Sequence, residues 1–119
     1  MWATGNASTV IEALSARIGS SAAALISRNG TVPACVVPEG TNAEAFAVMC
    51  ATILGAAGAA AAELGHAPAH RILLDGNDAT TVIVARGGAG LLVAVVDRHR
   101  CEPAVLGEIE RVATALLGR

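Results

Sequence analysis

The chain has 119 residues, is 54% hydrophobic and carries a formal net charge of −2. A chain of this size can bury a core without disulfide or metal staples, and we expect residues 1–119 to form a single domain. All eight basic residues are Arg, scattered along the chain, and Trp2 and Phe46 are the only aromatics; this excludes a nucleic-acid interface, which needs clustered positive charge and often stacking rings.

Residues 1–10 have neither a basic nor an apolar stretch of the kind that makes a secretory signal, so the sequon Asn6-Ala7-Ser8 reads as chance. Thr9 and Glu12 have the spacing of a capping box. Val10, Ile11, Leu14 and Ile18 then fall on one helical face, and the helix is expected to end near Gly19. Two apolar runs follow, 22–27 and 31–37, joined across Arg28-Asn29-Gly30. Asn-Gly between such runs predicts a tight hairpin with both turn residues at positive φ. Pro33 cannot donate to a ladder, which puts the second strand at a sheet edge.

Thr41 and Glu44 make a second capping box, opening a long helix to about Gly65. A linker, His66-Ala67-Pro68-Ala69-His70, leads to three strands at 71–74, 80–85 and 91–96. Their short turns, Asp75-Gly76-Asn77-Asp78 and Gly87-Gly88-Ala89-Gly90, predict an antiparallel meander. The last run does not alternate, which marks a strand buried on both faces. Pro103 suits the first turn of a closing helix, whose buried face is Val105, Ile109, Val112 and Leu116. The fold class is therefore α+β, ordered α-ββ-α-βββ-α. A five-stranded antiparallel sheet has the long helix on one face and the two terminal helices on the other.

The long helix is the most informative element. From residue 45 to 62 it has no charge, and Thr52 is its single polar side chain. A helix packed on one sheet needs an apolar stripe only, so an all-round apolar one implies a second partner. Lipid would suit the length. Large apolar groups are few, however, the second half is Ala and Gly, and aromatic belts and flanking basic anchors are missing, so no membrane span is expected. Phe46, Met49, Cys50, Ile53, Ala57, Ala60 and Leu64 form a bulkier stripe assigned to the sheet. Val48, Ala51, Thr52, Gly55, Ala59 and Ala62 form a second stripe of mostly small residues, over which another backbone can approach closely. The terminal helices or loops could cover that stripe within one chain; a symmetric dimer, helix against its own copy, is the reading preferred here.

This arrangement resembles the roadblock family, the dynein light-chain type and the bacterial and archaeal small-GTPase regulators; profilin-like and longin-like domains have a related layout. The likeness runs from Ser8 to Leu117. It rests on Ala24-Leu25-Ile26-Ser27-Arg28-Asn29-Gly30, the Ala-rich helix, Leu91-Leu92-Val93-Ala94-Val95 and Leu106-Gly107. The resemblance implies a dimer with the long helices side by side and the third strands paired across it. In this chain that adds Ile72, Leu73 and Leu74 to the expected interface. It also implies a role in binding Ras-like GTPases, as regulator or scaffold, with no universal catalytic residue to carry over.

Other constellations have plainer readings. Pro68 breaks the helical spacing of His66 and His70, and no third metal ligand is near. Asp75-Gly76-Asn77-Asp78 lacks the later glutamate of a calcium loop. The glycines at 87–90 lead into a strand and lack the Lys of a phosphate loop. Asp97-Arg98-His99-Arg100 reads as a solvated loop. Cys35, Cys50 and Cys101 are odd in number and far apart, as reduced core thiols of a cytoplasmic protein would be. No serine lies in a nucleophile-elbow context. We therefore expect no catalytic residues, metal or cofactor. The expected function is a non-enzymatic dimeric regulator or scaffold of a small Ras-like GTPase, pairing with itself or a paralogue. The alternatives are a small-molecule sensor domain or a structural subunit of a larger complex.

Overall fold

The computed structural model describes residues 4–118; Trp2 and Arg119, counted above, lie outside them. Three α-helices, α1 (Thr4–Ile18), α2 (Ala43–Glu63) and α3 (Pro103–Leu117), surround five strands. The strands are β1 (Ala22–Ser27), β2 (Ala34–Val36), β3 (Arg71–Asp75), β4 (Ala79–Arg86) and β5 (Gly90–Asp97). They form one antiparallel sheet ordered β2-β1-β5-β4-β3, so β2 and β3 are its edges. The expected α+β order holds, and β5 is buried on both faces from Leu91 to Ala94, as its unbroken apolar run requires.

The two faces have separate cores. Under α1 and α3, Ile11, Leu14, Ile109 and Val112 pack on Leu25, Val82, Val84, Leu92 and Val96. Under α2, Ala47, Cys50 and Leu54 pack on Ala24, Ile26, Ile83, Leu91 and Val93.

Several boundaries differ from the sequence expectation. Helix α1 is already formed at Thr4, so Thr9 lies inside it and does not cap it. Ala7 is buried in the core, continuing the Ile11, Leu14 and Ile18 stripe one turn upstream. The cap of α2 is Asn42, whose Oδ1 accepts from the Ala45 N–H at 3.0 Å. Thr41 is instead drawn into a turn, its N–H bonded to Pro38 C=O. Strand β2 is only Ala34–Val36, with Pro33 just before it.

The β1–β2 connection also departs from a two-residue hairpin. Among the described residues no non-glycine has positive φ, so Asn29 does not adopt the mirror-image turn, and Gly30 alone does, at φ 90°. Gly30 N–H bonds Ser27 C=O, and Ser27 N–H bonds Thr31 C=O. That is an ordinary turn closed by a left-handed glycine, the alternative three-residue solution to the same strand twist. Gly90, at φ 151°, begins β5 so close to β1 that a Cβ would stand 2.4 Å from Ile26 C=O.

The cysteines divide as well. Cys50 is buried, and burial pushes its thiol pKa up. Cys101 is partly buried and Cys35 is exposed on β2, so only one of the three is a core thiol.

Candidate protein interface on α2 and β3

Helix α2 spans 21 residues, about 31 Å at the usual rise. By length and composition it could cross a membrane, yet it lies on the sheet, with 17% of its most apolar window buried. All of its buried residues, Ala47, Cys50 and Leu54, are in the first two-thirds. From Gly55 to the end nothing is buried, although Gly55 to Ala62 is made only of Gly and Ala. The one polar side chain of the uncharged run is neutralised locally: Thr52 Oγ1 donates to Val48 C=O at 2.8 Å, which leaves the helix surface apolar.

The expected second stripe is placed as the sequence suggested. Val48, Thr52, Gly55, Ala59 and Ala62 are exposed and Ala51 is half-buried. The bulkier stripe needs correcting. Met49 is 64% exposed and Leu64 73% exposed, and Ala60 is exposed as well, so none of the three is packed against the sheet. The sheet-facing positions are Ala47, Cys50 and Leu54, flanked by Phe46 and Ile53. Met49 therefore adds to the open surface of the helix. A sequence signal for this existed: Ala47 and Leu54 stand seven apart with Cys50 between them, the spacing of a helix seam.

Strand β3 completes the surface. One of its sides pairs with β4, and among the described residues no strand lies along its other edge. Ile72 is half-buried beneath α2, while Leu73 and Leu74 are exposed. Leu74, Thr81 and Val95 stand in one cross-strand row on the α2 face. Thr81 and Val95 are only half-buried, so α2 does not reach over this row and the sheet stays open beside the free edge.

Two carboxylates of α3 gather charged partners from the neighbouring elements. Glu110 holds Arg71 at 3.2 Å and also Arg86, tying α3 to β3 and β4. Glu108 holds Arg17 at 2.8 Å and Arg111, tying α3 to α1. The hydrogen bond from Arg111, reinforced by Arg17, holds the Glu108 carboxyl below its ordinary range. Arg98, His99 and Arg100, read as a loop, form a short 3-10 turn started by Asp97, whose Oδ1 accepts from His99 N–H. A shallow depression of about 580 Å³ is lined by His70, Ala85, Arg86, Gly87, Glu110 and Thr114; it is an open surface and not an enclosed pocket. Among the described residues no group of His, Cys, Asp or Glu is gathered to hold a metal.

Comparison with known proteins agrees with this geometry. Residues 7–96, from α1 to the end of β5, match the family model of the Roadblock/LC7 domain. No curated protein matches. Among solved structures, MglB of Myxococcus xanthus superposes with a TM-score of 0.89 at 17% identity, covering 98% of this chain and 90% of that one. An MglB described as having a tetrameric arrangement gives 0.87 at 26% identity, covering 98% and 90%. The gliding protein MglB of Thermus thermophilus gives 0.86 at 25% identity, covering 98% and 91%. The chain belongs to the Roadblock/LC7 domain family.

Proposed function

We propose that this protein is a non-enzymatic, cytoplasmic regulator or scaffold of a small Ras-like GTPase and that it works as a dimer of two copies. The observation that carries the dimer is the second half of α2, apolar and without a fully buried residue, together with an outer edge of β3 that no strand of the described residues covers. The interface is Val48, Ala51, Thr52, Gly55, Ala59 and Ala62 on α2, with Ile72, Leu73 and Leu74 on β3. Small side chains suit close helix approach, where dispersion accumulates over a long seam. They gain little from lipid, since each buries few CH₂ groups, so a protein partner fits better than a membrane. A relative at 26% identity is described as tetrameric, which supports self-association in this family. Family membership supports a GTPase partner.

Two experiments test the reading. Sedimentation should find the native chain dimeric and Ala59→Glu monomeric with its helical circular dichroism retained. A monomeric native chain at high concentration overturns the homodimer, and a paralogue would then be the partner to seek. Co-purification with Ras-like GTPases, loaded with GDP or GTP, should retain at least one of them. Absence of binding to every one tested would sink the regulatory role while leaving the dimer intact.

A further inference from the structure

The arginines are scattered along the chain, yet the fold collects three of them at one end of the sheet, where β1 and β4 finish and β3 begins. Arg86 bonds Glu110 Oε1 through Nη2 and donates through Nη1 to Ala85 C=O at 3.1 Å. Arg71 Nη1 donates to the other carboxylate oxygen, Glu110 Oε2, at 3.2 Å. Arg28, in the turn after β1, donates through Nη2 to Gly87 C=O at 2.6 Å. Arg86, Gly87 and Glu110 line the shallow depression beside α3, with His70 at its rim.

The charge of this cluster does not balance. Among the described residues Glu110 is the carboxylate that touches it, and it spends one oxygen on each of two guanidiniums. Arg28 is met by a carbonyl alone, so two positive charges have no partner of their own, in a chain whose net charge is −2. Fastening α3 to the sheet needs one arginine on Glu110 and does not account for the second or for Arg28. Donors are unspent as well. A guanidinium has five N–H groups, and Arg71 and Arg28 each use one of theirs. Both residues are exposed, whereas Arg86 keeps only 14% of its side chain exposed. Glu110 thus holds Arg71 and Arg86 side by side, so that an arriving anion finds them already ordered.

We propose that this depression docks an acidic segment of a protein partner, whose Asp or Glu carboxylates pair with Arg71 and Arg28 beside the anchored Arg86. Arginine clusters recognise acidic motifs through such charge-assisted, forked hydrogen bonds. The open form suits a polypeptide laid across a surface, whereas a small molecule needs a cleft that encloses most of it. No Phe, Tyr or Trp lines the depression, so nothing there stacks nucleic-acid bases.

Titration with a hexaglutamate peptide tests the site. At about 50 mM salt the peptide should bind, and at about 500 mM it should be released. Backbone amide NMR signals of Arg28, His70, Arg71, Arg86 and Gly87 should shift on binding. Those of Arg98, His99 and Arg100, beside Asp78 at the opposite end of the sheet, should stay. Arg28→Ala and Arg71→Ala should each weaken binding about 5-fold. Arg98→Ala makes the same change in net charge and should leave the affinity as it is. Arg28 lies on neither α2 nor β3, so its variant reads this site apart from the proposed dimer. No binding of the peptide at low salt overturns the proposal, and so does equal weakening by Arg98→Ala. Inorganic phosphate or a thymidine hexanucleotide that binds more tightly than the peptide also overturns it, in favour of a phosphate site.

Discussion

The two faces of the sheet are closed in different ways. On one, two helices contribute Ile11, Leu14, Ile18, Ile109, Val112 and Leu116 to a continuous core. On the other, the longest helix contributes Ala47, Cys50 and Leu54 and buries no residue fully beyond Leu54. Yet α2 is the helix without a charge between Glu44 and Glu63, whereas α3 carries Glu108, Glu110 and Arg111. The helix with the least burial inside the chain is thus the most apolar. The contrast teaches that a helix's apolar width need not track its burial in one copy, which is the observation behind the proposed dimer.

Removing a large side chain from each face should break or sharpen that contrast. The effects are best measured by urea unfolding of the monomeric state. Ile109→Ala on the closed face leaves a cavity among fully buried neighbours and should lower stability by about 3 kcal/mol. Leu54→Ala, at the border of the α2 core, should lower it by about 2 kcal/mol, because its surroundings can collapse toward solvent. Equal losses would mean that α2 is seated as firmly as α1 and α3. Asn42→Ala removes the acceptor for Ala45 N–H and should lower stability by about 1 kcal/mol, whereas Thr41→Ala should change little. Val48→Ala should stay within about 0.5 kcal/mol in the monomer and weaken the dimer.

The smallest effect lies in the salt links of the closed face. Glu108 is held ionised by Arg111 and Arg17, below its ordinary value of 4.5. A lowered carboxyl pKa adds stability at neutral pH, and that part is lost as the pH falls through 4.5 toward the folded value. Native chain and Glu108→Gln should therefore differ slightly in melting temperature at about pH 7 and converge on acidification. The group is solvent-exposed, so a large or salt-independent difference would contradict this account.

Much of the fold was legible because hydrophobic period and turn residues act locally. The 22–27 run, the meander and Pro103 at the start of α3 came through nearly unchanged. The errors share a cause. Thr9, Thr41 and Asn29 each offer a motif that a neighbour displaced: Ala7 by packing, Asn42 by a preceding turn, and Gly30 by supplying the single left-handed residue the connection needs. That the small stripe of α2 lies away from the sheet was legible, while Met49, Ala60 and Leu64 were misassigned to the sheet-facing side. An all-apolar helix has little amphipathic contrast from which to read its inward face.

The sequence by itself determined the elements, their order and the all-round apolar character of α2, because these follow from spacing and composition. Only the tertiary structure decided which side of α2 meets the sheet and where its burial stops. It alone brought Arg28, Arg71 and Arg86 together, because such contacts depend on how separate segments are set against one another. Their charges stand plainly in the sequence. Their gathering at one end of the sheet, around the single carboxylate of Glu110, is a property of the folded chain.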